Sequence, residues 1–480
     1  MTEPAQSAPG SKLDKEITLR QLFSLAFGSI IGVGWITVLG LWLSDAGPYG
    51  AALAFVGGGF VILLIGLCYA ELATVYPVAG GAVAFAHEVI GVKASFLVGW
   101  LLTLGYVGVV IFEVISVGWI LEALVPALKG PALYSLAGSE ISAIGLGTGV
   151  LGMVALAWFN IRGAKQAAML QEVLTYGLLA IVLVFAGFAF VNGDAANLQP
   201  GFAKNADGLV LPGILAVIVT APYWYSGFDV IPQALGEKSE NASIKLVPIT
   251  LLLAIGVAAA FYALVILAAA ISLPRVDIIG ADLPTADAIA AAMGSKFGSQ
   301  LVLVAGLLGL VTAWNAFTFG AARVLFAMGR AKLLPQAFGG LHRRHNTPAF
   351  ALIFISALGV GGAFLGKGAI GPIVDTGALA FSLVYLTICI CSAIYAKRAD
   401  AKSRVFIMPG GTPVRWLAIL SATAVTLYAF YAPLEASSGT LPVEWLVLLF
   451  WIGLGLLFFW LSRPSAVTPQ ERTALIPSDF

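Results

Sequence analysis

The segment Gly28-Ser29-Ile30-Ile31-Gly32-Val33-Gly34 decides how the first apolar stretch of this chain folds. Each glycine weakens a helix by about 1 kcal/mol relative to alanine, and three of them fall within these seven residues. If the helix opens here, its outer half begins with free N–H groups and a positive dipole end, which suit a carboxylate. The alternative is a packing face, because contacts between membrane helices favour glycine and serine.

The sixth apolar stretch carries a matching interruption. It reads Ala221-Pro222-Tyr223-Trp224-Tyr225-Ser226-Gly227-Phe228-Asp229-Val230-Ile231-Pro232. Two prolines bracket a glycine and an aspartate, and a proline inside a helix removes a backbone hydrogen bond. Unwound backbone at membrane depth is tolerated only where protein or a water-filled cavity surrounds it. Breaks at corresponding positions of two halves point to the binding site of an inverted-repeat transporter.

The composition is that of a membrane protein. Of the 480 residues 60% are hydrophobic and 10% are charged, whereas soluble domains carry about 25% charged residues. The net charge of +1 gives no argument for a nucleic-acid partner. Cys68, Cys389 and Cys391 lie in apolar runs and are interpreted as small core residues. Because no catalytic constellation, metal-ligand spacing or phosphate-binding loop is visible, we expect no enzyme, no metal and no cofactor.

Twelve apolar blocks are long enough to cross a bilayer, since a span needs about 20 such residues. With the N-terminus inside, twenty of the 25 Lys and Arg residues fall at inner ends, as the positive-inside rule requires. We therefore predict a multi-pass protein of the cell membrane with both termini cytoplasmic. The predicted spans 1 to 12 are 21–44, 51–76, 94–125, 141–160, 166–191, 209–235, 246–272, 299–328, 349–366, 370–396, 414–433 and 443–462.

Four motifs, in order and at suitable spacing over roughly residues 20–400, resemble the amino acid–polyamine–organocation permease superfamily. Together they are specific, although each alone is weak. They are Gly28-Ser29-x-Ile31-Gly32-x-Gly34, Tyr69-Ala70-Glu71-Leu72-Ala73-Thr74-Val75-Tyr76-Pro77-Val78-Ala79-Gly80-Gly81, Ser226-Gly227-Phe228-Asp229, and Ala322-Arg323-Val324-Leu325-Phe326-Ala327-Met328-Gly329-Arg330 with Leu334-Pro335.

The resemblance implies an all-α membrane protein of twelve transmembrane helices with the leucine-transporter-type fold. Ten core helices would form a 5+5 inverted repeat with discontinuous helices 1 and 6, and helices 11 and 12 would be peripheral. On this chain the prediction gives a disordered cytoplasmic tail at 1–17, a core at 18–396 made of repeats 18–191 and 209–396, helices 11 and 12 within 397–462, and a cytoplasmic tail at 463–480.

The resemblance also implies a substrate site at the two breaks. The span 1 amides of residues 29–34 would receive a carboxylate, and the unwound backbone of span 6 would face the amino group. Trp35 stands where relatives usually have a small aliphatic residue, so it either reshapes the pocket floor or packs outward. Span 5 lacks the mid-helix lysine that stands in for sodium in one branch. The predicted substrate-binding residues are Ser29, Ile30, Gly32, Val33, Gly34, Tyr223 as a gating aromatic, Trp224, Ser226 and Gly227.

Acidic residues inside spans are functional candidates, because inserting one costs about 2.5–3.5 kcal/mol. Glu113 in span 3 is predicted to pair with a substrate ammonium or to carry a proton; the alternative is a buried acid bonded to a neighbouring helix. Asp229 is predicted to act in gating or proton coupling, with capping of the following helix as the alternative. Glu71 is interpreted mainly as structural support for the loop that follows span 2.

The function expected from these features is secondary active transport of an amino acid across the plasma membrane by alternating access. Proton symport or exchange is preferred to sodium coupling. The expected partners are therefore a small-molecule substrate, protons and the lipid bilayer. The alternative is an amine, polyamine or organocation transporter, in which Glu113 and Asp229 would bind cationic nitrogen. A non-transporting membrane sensor or a channel is a more distant alternative.

Overall fold

A computed structural model describes residues 13, 15–136, 138–398, 405–436 and 441–462. The predicted tail 463–480 and nearly all of the predicted tail 1–17 lie outside the described residues. Among the described residues, ten helices are long and apolar enough to cross a membrane. Two shorter apolar helical segments, Leu211–Trp224 and Ala349–Ala363, coincide with predicted spans 6 and 9. The chain is therefore a multi-pass, all-α membrane protein.

The helices follow the predicted spans, and short elements fill the connections. Span 1 is α1, α2 and the first part of α3, span 6 is α8 to α10, and α4, α12, α13 and a β-hairpin lie between spans. The elements are α1 (Leu19–Ile30), α2 (Gly34–Thr37), α3 (Leu39–Val75), α4 (Gly81–Val89), α5 (Val92–Leu124), β1 (Ala132–Leu136), β2 (Ser139–Ser142), α6 (Ala143–Arg162), α7 (Ala164–Asn192), α8 (Leu211–Ile218), α9 (Ala221–Trp224), α10 (Val230–Ala234), α11 (Val247–Ser272), α12 (Arg275–Gly280), α13 (Pro284–Met293), α14 (Lys296–Arg330), α15 (Ala349–Ala363), α16 (Ile370–Tyr395), α17 (Gly411–Ala436) and α18 (Val443–Ser462).

The corner between spans 1 and 2 lies inside α3. Gly47 leaves the helical region with φ of 75°, and Pro48 follows it. A side chain at Gly47 would also collide with the backbone of residues 201–203. Only glycine meets both conditions, so the helix turns here and span 2 proper begins at the proline.

The interrupted helices lie at the centre of the bundle. Helix α1 packs against α7, α10, α11 and α14, while α3 runs along α11, and α14 contacts both α5 and α7. Helix α18 is peripheral, because only 17% of its apolar window is buried inside the protein. The hairpin pairs β1 with β2 antiparallel, Leu136 opposite Ser139, over the connection between spans 3 and 4. This arrangement places the break in span 1 where four other helices surround it.

Polar contacts tie the predicted inner ends of spans 1, 6 and 8 together. Arg323 of α14 donates two hydrogen bonds to the Glu237 carboxylate, at 3.0 and 2.8 Å, and both side chains are buried. The backbone N–H groups of Glu16 and Ile17 donate to the Glu237 carbonyl at 3.0 and 2.9 Å. Thr18 then begins α1 with a capping box. The segment before α1 is thereby fixed to the end of span 6.

Candidate functional site

The break in span 1 is confirmed, and it falls inside the predicted segment. Helix α1 ends at Ile30 and α2 begins at Gly34, with residues 31–33 non-helical. Added side chains at Gly32 and Gly34 would collide with the Glu113 carboxylate and the Trp224 ring. The glycines therefore permit neighbouring groups to approach the opened backbone closely. The same absence of side chains serves helix packing and leaves the backbone accessible to a ligand, so the two alternatives are compatible.

The break in span 6 lies between the two prolines, as predicted. Helix α9 ends at Trp224 and α10 begins at Val230, so residues 225–229 are non-helical. Gly227 has φ of 115°, a conformation that side chains disfavour, and a Cβ there would collide with Ser29. The Ser29 hydroxyl lies 3.2 Å from the Gly227 carbonyl, and it also contacts the nearer carbonyls of Leu25 and Ala26 in its own helix. The two breaks are therefore in direct contact.

Tyr262 of α11 joins the two breaks from a third helix. Its hydroxyl lies 2.9 Å from the carbonyl of Ile30 and 3.1 Å from that of Trp224, the last residues of α1 and α9. Helix ends leave carbonyl groups without intrahelical partners, so a buried end needs a donor from elsewhere. The Tyr262 hydroxyl has one hydrogen and lies within reach of both carbonyls, so it donates to one of the two breaks at a time.

A small enclosed cavity lies between the breaks. Its volume is about 20 Å³, and a cavity needs roughly 10–15 Å³ to hold one water molecule. An amino acid therefore fits only if the walls move apart. The cavity is lined by Ser29, Ile30, Gly32, Gly34, Val109, Phe112, Glu113, Tyr223, Trp224, Ser226, Tyr262 and Phe317.

Seven of the nine predicted substrate-binding residues line this cavity: Ser29, Ile30, Gly32, Gly34, Tyr223, Trp224 and Ser226. The other two lie in the breaks but outside the lining. The side chain of Val33 is buried in the surrounding core. The N–H of Gly227 donates to Asp229 Oδ1 at 2.9 Å. Their roles in substrate binding stay predictions.

Glu113 lines the cavity and contacts the opened backbone of span 1. Its carboxylate accepts a hydrogen bond from the N–H of Val33, and the side chain is only 1% exposed. Among the described residues, Glu113 Oε2, Tyr223 Oη and Trp224 Nε1 have no hydrogen-bond partner. Buried polar atoms are normally paired, so three unpaired ones on one cavity favour a binding site for a polar ligand.

Asp229 lies outside the lining, and its carboxylate is already engaged. Tyr106 of α5 donates to Oδ2 at 2.5 Å, and Tyr385 of α16 lies 3.3 Å from Oδ1. Asp229 occupies the N-cap position of α10, but its side chain makes no capping bond to that helix. It bonds instead to the N–H of Gly227. The capping alternative is therefore wrong, because the carboxylate holds the break rather than the helix that follows.

Four residues of the lining were not predicted from the sequence: Val109, Phe112, Tyr262 and Phe317. The three apolar ones carry no local signal, since they resemble every other apolar residue of their spans. Tyr262 did carry a signal, because it is the one polar side chain of α11 between Thr250 near the start of the helix and Ser272 at its end. A buried tyrosine hydroxyl usually finds a partner, and that requirement marks the position.

A buried amide network lies behind the break, on the side away from the cavity. Gln171 of α7 donates to the Ser24 carbonyl at 3.1 Å, and Asn315 of α14 donates to Gln171 at 3.0 Å. A Cβ at Gly28 would collide with the Gln171 amide. Trp35 is buried against Phe261, at 5.7 Å between ring centroids, and is absent from the cavity lining. It does not form the pocket floor.

The chain belongs to the amino acid permease family, whose profile matches residues 17–457. This confirms the resemblance to the amino acid–polyamine–organocation permeases and identifies a membrane transporter rather than an enzyme. The match covers both breaks, the cavity lining and all described residues except 13, 15, 16 and 458–462.

Relatives of known name span most of the chain. A branched-chain amino acid permease of Bacillus subtilis is 25% identical over 87% of this chain and 88% of its own length. A methylthioribose transporter of the same organism is 27% identical over 97% of each chain. Cationic amino acid transporter 9 of Arabidopsis thaliana is 31% identical over 70% of this chain and 59% of its own length. These relatives are all transporters, but their named substrates differ in charge and chemistry.

Proposed function

We propose that this protein is a secondary active transporter that carries an amino acid across the plasma membrane by alternating access. It has twelve spans in a 5+5 inverted repeat, with both termini cytoplasmic. Its substrate lies between the breaks of spans 1 and 6. The carboxylate is held by the N–H groups of residues 32–34, and the ammonium lies near Glu113. Transport is driven by proton symport or by exchange.

One observation carries the proposal: both breaks open onto a single buried cavity that holds unpaired polar atoms. The cavity offers N–H groups at the start of α2, where that of Val33 already donates to Glu113, and an acid at Glu113 itself. These two groups match the two charged ends of an amino acid. The contact between Ser29 and the Gly227 carbonyl joins the two breaks. Movement of one proposed repeat relative to the other would therefore change the shape of the cavity.

Counterflow in vesicles tests this function. The purified protein is reconstituted, the vesicles are loaded with one unlabelled amino acid at a time, and uptake of the same labelled amino acid is measured. Saturable counterflow of at least one amino acid, unaffected by its decarboxylated amine, is the expected result. Absence of counterflow across the full set of amino acids would rule the proposal out.

An amine carrier is the second candidate, and one contact favours it. The Glu113 carboxylate already accepts a hydrogen bond from Val33, so a protein carboxylate lies at the place proposed for the substrate carboxylate. An amine has no carboxylate, so it would bind to Glu113 without using the N–H groups of residues 32–34. In the same assay an amine carrier gives counterflow of the amine, and amino acids with an intact carboxylate fail to compete.

Glu113 is proposed to couple transport to protons. It is the only acidic side chain in the cavity lining of the described residues. Glu113→Gln keeps an oxygen that accepts from Val33 but cannot bind or release a proton. We expect this variant to bind substrate more weakly, because the ammonium loses its counter-charge, but to retain counterflow at saturating substrate. Accumulation driven by a pH gradient is expected to fall by at least about tenfold. Accumulation that follows the pH gradient as in the unaltered protein would contradict this role.

A further inference from the structure

The wall of the cavity that faces the breaks is apolar. It is formed by Val109 and Phe112 of α5 and by Phe317 of α14, each at most 5% exposed. Phe317 packs against the Tyr106 ring at 5.2 Å, and Phe112 packs against Tyr223 at 6.4 Å between centroids. A substrate whose charged ends lie at the breaks and at Glu113 directs its side chain towards this wall.

The cavity offers no second charge to that side chain. Its lining contains Glu113 as the only acidic residue and no Lys, Arg or His, within the part of the chain that the structure describes. Asp229, the acidic residue of the span 6 break, is held by Tyr106 and Gly227. Asp375 interacts electrostatically with Tyr223 but is exposed and outside the lining. The one available carboxylate is therefore needed for the substrate's α-ammonium.

These charges separate the possible substrates. A lysine or arginine side chain would be buried against Val109, Phe112 and Phe317 without a counter-ion, which is strongly unfavourable. An acidic side chain would meet the same wall and also be repelled by Glu113. An apolar side chain gains from burial on this wall. The wall thus discriminates between substrates mainly by the charge of their side chains, and only then by side-chain size.

We propose that the substrate is an amino acid with an uncharged, apolar side chain, which lies against Val109, Phe112 and Phe317. This inference rests on the proposed amino acid transport. It makes the three wall residues the determinants of specificity, and it excludes cationic amino acids as the preferred substrates.

The first test compares substrates in the unaltered protein. Counterflow of labelled leucine, valine and methionine is measured beside that of arginine, lysine and glutamate. We expect counterflow of the apolar amino acids to be at least about 100-fold more efficient than that of the charged ones, because a charged side chain would be buried without a partner. Arginine or lysine counterflow equal to that of leucine overturns the inference but leaves amino acid transport standing. Failure of every amino acid instead overturns the proposed function.

The second test changes the charge of the wall. Val109→Asp adds a carboxylate to the cavity, so competition by lysine and arginine is expected to strengthen about tenfold while leucine weakens. Val107→Asp is the matched control, because Val107 lies two residues away on α5, is equally buried and is absent from the lining. It is expected to leave the order of substrates unchanged. An unchanged order in Val109→Asp, or the same change in both variants, contradicts the inference.

A milder variant keeps the test usable if Val109→Asp does not fold. Phe112→Ala removes aromatic volume from the wall without adding charge. We expect it to improve competition by phenylalanine relative to valine by about tenfold, since the wall then accepts a larger side chain. An unchanged ratio of phenylalanine to valine would show that the substrate side chain does not contact this wall.

Discussion

At the residue scale, single atoms decide how the site is built. The missing side chains of Gly32 and Gly34 leave room for the Glu113 carboxylate and the Trp224 ring. Tyr262 brings one hydroxyl to the carbonyls of Ile30 and Trp224. These contacts hold the two opened helix ends beside each other and give their carbonyls a shared donor.

Gly32→Ala tests this requirement. Its Cβ would overlap the Glu113 carboxylate, and such overpacking costs about 1–3 kcal/mol. We expect a lower unfolding temperature and a loss of counterflow. Gly256→Ala in α11 is the matched control, because a Cβ there meets nothing within 4 Å. The control is expected to be neutral or to stabilise the helix by up to about 1 kcal/mol. Equal behaviour of the two variants would contradict the role of Gly32.

At the element scale, interrupted helices need fixed ends. Span 6 ends in the buried pair of Glu237 and Arg323, and the Arg323 guanidinium also lies 3.4 Å from the centre of the Phe319 ring. The backbone carbonyl of Glu237 accepts hydrogen bonds from the N–H groups of residues 16 and 17. Through its side chain Glu237 holds the inner end of α14 to the end of span 6, and through its backbone carbonyl it holds the segment that precedes α1.

Glu237→Ala is expected to destabilise the protein by about 3–5 kcal/mol, because it leaves the Arg323 charge buried without a partner. Thermal unfolding of the purified protein measures the effect. The double variant Glu237→Leu with Arg323→Met removes both charges and is expected to recover most of the loss. A single variant as stable as the unaltered protein would show that the pair contributes little.

A second buried pair connects helices farther from the site. Arg415 of α17 donates to both oxygens of Glu71 in α3, and the Ser392 hydroxyl of α16 donates to the same carboxylate at 3.0 Å. The N–H of Met408 also donates to Glu71 at 3.2 Å. This supports the interpretation of Glu71 as structural, although it holds α17 and the segment before it rather than the loop after span 2.

At the scale of the whole molecule, the arrangement of charges predicts orientation. The basic residues that follow the inner ends would face the cytoplasm, and the connection after span 3 would face outward. Lys129 lies after α5 and Arg343 lies before α15, and both side chains are exposed. The predicted topology places Lys129 outside the cell and Arg343 in the cytoplasm.

Lys129→Cys and Arg343→Cys test this orientation in intact cells. A membrane-impermeant thiol reagent is expected to label Lys129→Cys directly and Arg343→Cys only after permeabilisation. The native chain is the control, because Cys68, Cys389 and Cys391 are fully buried and should stay unlabelled. Labelling of Arg343→Cys in intact cells, or of both variants alike, would contradict the predicted topology.

The sequence by itself determined the membrane class, the family and the positions of both breaks. The membrane class and the breaks depend on local properties: apolar run length, charge at span ends, and glycine or proline in a helix. The family came from the resemblance of four motifs to those of known permeases. It also identified Glu113, because an acid among apolar residues is conspicuous on its own. The spans themselves could be placed because each one is contiguous in the chain.

Only the tertiary structure decided which groups meet. Val109, Phe112 and Phe317 look like any other apolar residue until α5 and α14 are packed beside the breaks. Asp229 could not be distinguished from a helix cap until Tyr106 was placed against it. The physical reason is that such roles arise from contacts between residues far apart in sequence, and no local pattern encodes those contacts.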